Sequence, residues 1–173
     1  MMSTPTSQRI TLAGMNTGTR ASRWRFVLVG GIDAGKTTLL RVLEDKGPSA
    51  ARKTQMVDYS GWGIDTPGEF SEIRHYRRYI STIFVDAQVI VAVQDATRVT
   101  SFFPPRYFET FPQQTIGVVT KLDLPGADAE RGARLLRDAG VTGEIYTVSA
   151  ITGQGISKLR DDLLNQTFSH SSR

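Results

Sequence analysis

The sequence predicts an α/β fold with a mainly parallel sheet covered on both faces by helices. Two observations carry this. The run Trp24-Arg25-Phe26-Val27-Leu28-Val29, rich in β-branched and aromatic residues, ends in glycines and is followed by helix formers, which reads as strand, tight loop, helix. Further along, strand-like and helix-like stretches alternate, the pattern of repeated units that lay parallel strands side by side.

The elements follow in order. Leu39, Leu40 and Leu43 recur at helical spacing and give the first helix a buried stripe, which Lys46-Gly47-Pro48 brings to a stop. Strands are predicted at Gln55–Tyr59, Gly61–Asp65, Val89–Gln94, Thr115–Thr120 and Glu144–Val148. Helices are predicted at Phe70–Ile83, Ala127–Ala139 and Ile156–Leu164. Ligands of such sheets sit beyond the carboxyl ends of the strands, so functional residues are sought there.

Composition narrows the function. At 173 residues and 39% hydrophobic content, the chain can bury one good core and is too short for two ordinary domains. It has no cysteine and only two histidines, His75 and His170, far apart in sequence, so a transition-metal site is not expected. The apolar run Val89–Val93 is strand-sized, far from the roughly 20 residues of a membrane span. A soluble cytoplasmic protein is the expectation.

The net charge of +4 raises the question of nucleic acid, and the placement of the charge answers it. Residues 1–32 carry Arg9, Arg20, Arg23 and Arg25 and no acid, which equals the whole excess. The remainder is balanced, so no basic nucleic-acid face is expected on the domain. Residues 1–22 are rich in Ser, Thr and Gly, with Ile10, Leu12 and Met15 as their larger apolar groups, and read as a flexible basic extension without a secretory h-region. Residues 23–173 form the domain.

Gly30-Gly31-Ile32-Asp33-Ala34-Gly35-Lys36-Thr37 matches G-x-x-x-x-G-K-[ST] at every fixed position and lies between the first strand and the first helix. The glycines let backbone N–H groups turn inward around phosphate oxygens at the positive end of a helix dipole. Lys36 adds a point charge on the β- and γ-phosphates, Thr37 offers a hydroxyl to Mg²⁺, and Thr38 is a further candidate nucleotide contact. In Gly63-Ile64-Asp65-Thr66-Pro67-Gly68, Asp65 can hold the metal through a water, and the Gly68 N–H can meet the γ-phosphate. A D-x-x-G alone is as often a plain turn; beside this loop it gains weight.

At the other end, Thr120-Lys121-Leu122-Asp123 follows the apolar strand Ile116–Val119 and resembles the [NT]-K-x-D motif of guanine-specific proteins. A carboxylate at Asp123 can accept the N1 and N2 donors of guanine together; adenine lacks both, so GTP is favoured over ATP. The stem of Lys121 can lie across the base. Ser149-Ala150, just after the last strand, holds the place of the backbone amide that meets the guanine carbonyl. The alternative for Lys121 and Asp123 is a solvated loop pair.

With these motifs in order over residues 24–165, the chain resembles a small GTPase of the translation-factor and Ras-like class, which implies a P-loop NTPase with the Ras-like three-layer fold. Ser49-Ala50-Ala51-Arg52-Lys53-Thr54-Gln55, the abrupt step to Ile64–Phe70, and Pro104-Pro105 after the fourth strand resemble the ethanolamine- and propanediol-utilisation family EutP/PduV. That resemblance, which covers everything except the extension, implies association with bacterial microcompartments; the basic extension offers a way to reach shell or cargo proteins as partners. The resemblance also implies that Thr54 is the switch threonine for Mg²⁺ and the γ-phosphate; the alternative is a strand-initiating threonine without a ligand. Glu69 stands where Ras-like enzymes place glutamine, and its negative charge repels the γ-phosphate, so slow intrinsic GTP hydrolysis is expected. Asp33 holds a monovalent cation such as K⁺ or pairs with a neighbouring basic side chain.

Three functions compete: a GTP/GDP switch, a phosphotransferase moving the terminal phosphoryl group to a small carboxylate such as acetate, and a nucleotide-binding adaptor without required turnover. For the second, Arg74, Arg77 or Arg78 could supply the counter-charge to a carboxylate, though they read equally well as a solvated helix face.

Overall fold

The computed structural model describes residues 26–45, 47, 63–65 and 87–169. The expected extension at 1–22, the strand at 55–59 and the helix at 70–83 lie outside these residues. Strands β1 (Phe26–Gly30), β2 (Gly63–Asp65), β3 (Val89–Asp95), β4 (Gln114–Thr120) and β5 (Ile145–Thr147) form one sheet, ordered β2-β1-β3-β4-β5, with every pair parallel. Helices α1 (Lys36–Leu43), α2 (Ala129–Asp138) and α3 (Ile156–Ser169) complete the layers, with a short 3₁₀ turn at Tyr107–Thr110 that the sequence does not announce. The chain is an α/β protein with the P-loop NTPase fold.

Alternation along the strands divides the core in two. Phe26 and Leu28 of β1, Val89, Val91 and Val93 of β3, and Ile116 and Val118 of β4 pack with Leu39, Leu40 and Leu43 of α1 and Ile156, Leu159 and Leu163 of α3. Val27, Val29, Ile90, Ala92 and Val119 point the other way, toward Leu136 of α2 and the aromatic residues Phe103 and Phe108. Every residue of β1 and β3 is buried, which is why these strands read as near-continuous apolar runs. Fully burying one such side chain contributes roughly 1.5–3 kcal/mol, so the two faces of the central strands dominate the stability.

Polar contacts fix the helices at their ends. The Asp128 carboxylate caps α2 by accepting from Arg131 N. Arg131 then reaches back, its Nη2 donating to Ala96 O at 3.0 Å and its Nε to Arg98 O at 3.1 Å, which ties the segment after β3 to α2. On the opposite face Arg160 of α3 donates to Val42 O at 2.5 Å and pairs with Asp45 at 2.7 Å, joining α3 to the end of α1. Both arginines work on backbone carbonyls at element ends, where orphan acceptors accumulate.

Candidate nucleotide site

The carboxyl edge of the sheet gathers the site. Between β1 and α1 the backbone turns through Asp33 at φ 60° and Gly35 at φ 89°, both left-handed. Gly35 thereby occupies the N-cap of α1 without a side-chain cap, and no acid stands in the first helical turn. The positive end of the helix is left open to an anion. Among the described residues the N–H groups of Ile32 and Gly35 have no acceptor, as a loop built to receive phosphate oxygens requires. Gly30 admits no side chain, because a Cβ there would lie 2.5 Å from Val93 O.

Lys36 is 6% exposed and folds over the loop, its Nζ donating to Gly30 O and Gly31 O at 2.9 Å each. This sets the ammonium at the start of the loop, where it can exchange carbonyl oxygens for phosphate oxygens. Thr37 and Thr38 follow it in the first turn of α1, both half-buried. Asp65 ends β2 and pairs in register with Leu28, two residues before the loop begins, so β2 delivers it to the same edge of the sheet. Asp33 is exposed, and Ala34 is buried beneath the loop. Thr54, Gly68 and Glu69 lie outside the described residues. The loop amides and the Lys36 ammonium suit an anion such as a phosphate group.

The base motif is joined to this loop directly. Thr120, buried at the end of β4, donates its hydroxyl to Ala34 O at 2.7 Å. Lys121 adopts φ 62° and its ammonium pairs with Asp95 Oδ2 at 2.8 Å. Asp95, at the end of β3, also accepts from Thr97 N at 2.8 Å and Thr97 Oγ1 at 2.7 Å. Burial alone would raise the Asp95 carboxyl pKa, but the hydrogen bonds from Lys121 and Thr97 outweigh it and hold the group below the ordinary carboxylate range. No sequence motif marks Asp95; the signal available is an acid closing an otherwise apolar strand at the ligand edge.

Asp123 is exposed, and its Oδ1 accepts from Ser149 Oγ at 2.5 Å. Ser149 is fully buried; its N–H donates to Gln154 O at 3.0 Å and its Oγ accepts from Thr152 N at 3.1 Å. The loop after β5 thus orients the carboxylate of the loop after β4. The N–H of Ala150 has no acceptor among the described residues, so a donor stands beside the Asp123 acceptor. The two loops thus bring together a carboxylate acceptor at Asp123 and, next in sequence to Ser149, the N–H of Ala150.

A cleft of about 230 Å³ shares Gly31, Ile32 and Ala34 with the phosphate loop and is lined also by Gln94, Arg98, Ser101 and Phe102. Arg74, Arg77 and Arg78, the arginines expected from sequence as candidates for a carboxylate pocket, lie outside the described residues. Arg98 belongs to no motif, and its place beside the phosphate loop emerges only in the fold.

Comparison with known proteins agrees with this geometry. The family model for ethanolamine utilisation and propanediol utilisation, PduV-EutP, matches residues 23–165. The chain is 33% identical over 146 residues to a protein of Escherichia coli (strain K12) named "Probable acetate kinase EutP", covering 83% of this chain and 91% of that one. It is 30% identical over 138 residues to "Propanediol utilization protein PduV" of Citrobacter freundii, covering 78% and 89%. Translation initiation factor IF-2 of Thermus thermophilus is 28% identical over 166 residues, covering 80% of this chain and 27% of the factor. Among the described residues no helix is long and apolar enough to cross a membrane. With its phosphate loop, its five parallel strands and a family match that spans most of its length, the chain belongs to the EutP/PduV family of ethanolamine and propanediol utilisation.

Proposed function

We propose that the protein binds GTP with Mg²⁺ and hydrolyses it slowly, in the cytoplasm and in association with a bacterial microcompartment. The observation that carries the nucleotide reading is the hydrogen bond from Thr120 to Ala34, which makes the base motif and the phosphate loop parts of one site. Asp123, oriented by Ser149, accepts both guanine donors, and the Ala150 N–H serves the guanine carbonyl. Lys36 and the loop amides take the β- and γ-phosphates. Thr37 and Asp65 would hold Mg²⁺, which neutralises charge on the transferring group. Thr54 is the further candidate for that metal, and Gly68 for the γ-phosphate. A glutamate at position 69 accepts a proton from water but repels the γ-phosphate, which keeps turnover low. Asp33 is the candidate to attract K⁺ beside the loop, the alternative being a pairing with a neighbouring basic side chain. Association with a microcompartment is supported by family membership.

A second reading is phosphoryl transfer to a small carboxylate. It is favoured by the printed name of the E. coli relative and by the cleft that shares Gly31 with the carbonyls under Lys36. The same cradle serves both readings, and they part at the acceptor. The test follows the γ-phosphate of labelled GTP and ATP with Mg²⁺, with and without acetate, using Lys36→Ala as the blank. Free phosphate from GTP without acetate supports hydrolysis; acyl phosphate formed only with acetate supports transfer; neither product with tight GTP binding removes both.

A further inference from the structure

The cleft beside the phosphate loop has a definite chemical character. Its charges do not cancel: Asp95 borders it but is neutralised by Lys121 at 2.8 Å, while Arg98 has no hydrogen bond or ion pair through its guanidinium among the described residues. Among the described residues, Arg98 therefore adds an uncompensated cation to the lining. Ser101 adds a hydroxyl whose oxygen accepts from Phe103 N at 3.0 Å, leaving its proton to donate. Ile32 and the ring of Phe102 add apolar lining.

Gln94 brings the reverse polarity to the lining. Gln94 is 3% exposed; its Nε2 donates to Asp95 O at 3.2 Å and, more weakly, to Thr100 O at 3.4 Å. Two carbonyls on that nitrogen fix the amide orientation, so Oε1 is the group left over, and it has no partner among the described residues. An acceptor there disfavours an anionic head, whereas Arg98 and the Ser101 hydroxyl favour one. Phe102 is braced edge-on against buried Phe103, ring centroids 5.2 Å apart, and presses on Gly31, where a Cβ would lie 3.0 Å from its ring. A volume of about 230 Å³ admits a molecule of a few heavy atoms and excludes a second nucleotide.

We infer that this cleft is the acceptor subsite of the protein, binding a short-chain monocarboxylate with its carboxylate on Arg98 and Ser101 and its alkyl part against Phe102 and Ile32. The inference rests on the phosphoryl-transfer reading for its chemistry and on the cleft alone for its location. In the transfer, a carboxylate oxygen forms a bond to the γ-phosphorus as the bond from that phosphorus to the β,γ-bridging oxygen breaks. The electron pair leaves on the nucleoside diphosphate, and no proton moves.

The test is binding of ¹³C-labelled acetate and propionate to the full chain with Mg²⁺ and a nonhydrolysable GTP analogue, followed by NMR, together with acyl phosphate formation from GTP. Loss of one charge-assisted contact weakens binding roughly tenfold or more, so Arg98→Ala should lower carboxylate affinity by that factor and leave nucleotide affinity unchanged. Arg98→Lys should restore part of it, and Phe102→Ala should shift the preference toward longer acids. Arg98 is exposed, so its substitution leaves the core intact. Carboxylate binding or turnover that is the same in wild type and Arg98→Ala overturns the site, as does absence of any carboxylate binding. Arg98-dependent binding with no acyl phosphate keeps the site and removes the transfer reading.

Discussion

Thr120 and Ala34, 86 residues apart in sequence, are joined by a buried 2.7 Å hydrogen bond from hydroxyl to carbonyl. It locks the end of β4 to the loop that precedes α1, and so fixes the spacing of the two proposed ends of the nucleotide site. Preorganisation of this kind reduces the ordering cost of binding.

Thr120→Val keeps the shape and removes the donor, leaving Ala34 O buried without its partner. The expected cost is about 1–3 kcal/mol of stability, read by chemical denaturation. Nucleotide affinity should fall at the same time, measured by titration under native conditions. Unchanged affinity would mean that the two loops hold their spacing without this bond.

The Asp95 carboxyl is held below its ordinary pKa by Lys121 and Thr97. A group with a depressed folded-state pKa contributes stability that is fully present above its unfolded value, 3.8, and is lost as pH falls through the folded one. Asp95→Asn should therefore flatten the acid limb of the stability profile below about pH 4. It should also loosen Lys121 and weaken guanine nucleotide binding. An acid limb identical to wild type would show that the pair contributes nothing to folding.

Much of this was legible in the sequence, for a local reason. The loop from Gly30 to Thr37 and the Thr120–Asp123 motif are contiguous, and each carries its chemistry in neighbouring residues. The strands were readable because β1 and β3 are buried throughout, although the edges moved: the last strand spans Ile145–Thr147, while Val148 N still donates to Val119 O at 2.8 Å beyond its end. What was not legible depends on partners distant in sequence. Asp95 finds Lys121, 26 residues on, and the 96–102 segment is shaped by Arg131 of α2, 33 and 35 residues away. The 3₁₀ turn at Tyr107–Thr110 is likewise held from outside, through Arg106 N to Asp138 O at 2.8 Å and Phe108 N to Ala139 O at 2.9 Å.

Leu159 of α3 is fully buried against the face that holds α1. Leu159→Ala should cost about 2–5 kcal/mol, measured as a lower denaturation midpoint. Nucleotide affinity of the folded fraction should remain, because the Leu159 side chain is fully buried in the core.

Lys36→Ala removes the ammonium over Gly30 O and Gly31 O. Its contact to phosphate is charge-assisted and amounts to about 1.5–3 kcal/mol, so affinity for nucleoside triphosphate should drop by more than tenfold while circular dichroism stays native. Retained affinity would move the phosphate site away from this loop.

The central claim is that one site joins the phosphate loop to a guanine-reading carboxylate, and equilibrium binding of GTP and ATP with Mg²⁺ to wild type and Asp123→Ala tests it most directly. Wild type should prefer GTP, and the variant should lose most of that preference through weaker GTP binding, with ATP affinity little changed. A variant that still discriminates as wild type does, or a wild type that binds both nucleotides equally, would contradict the account.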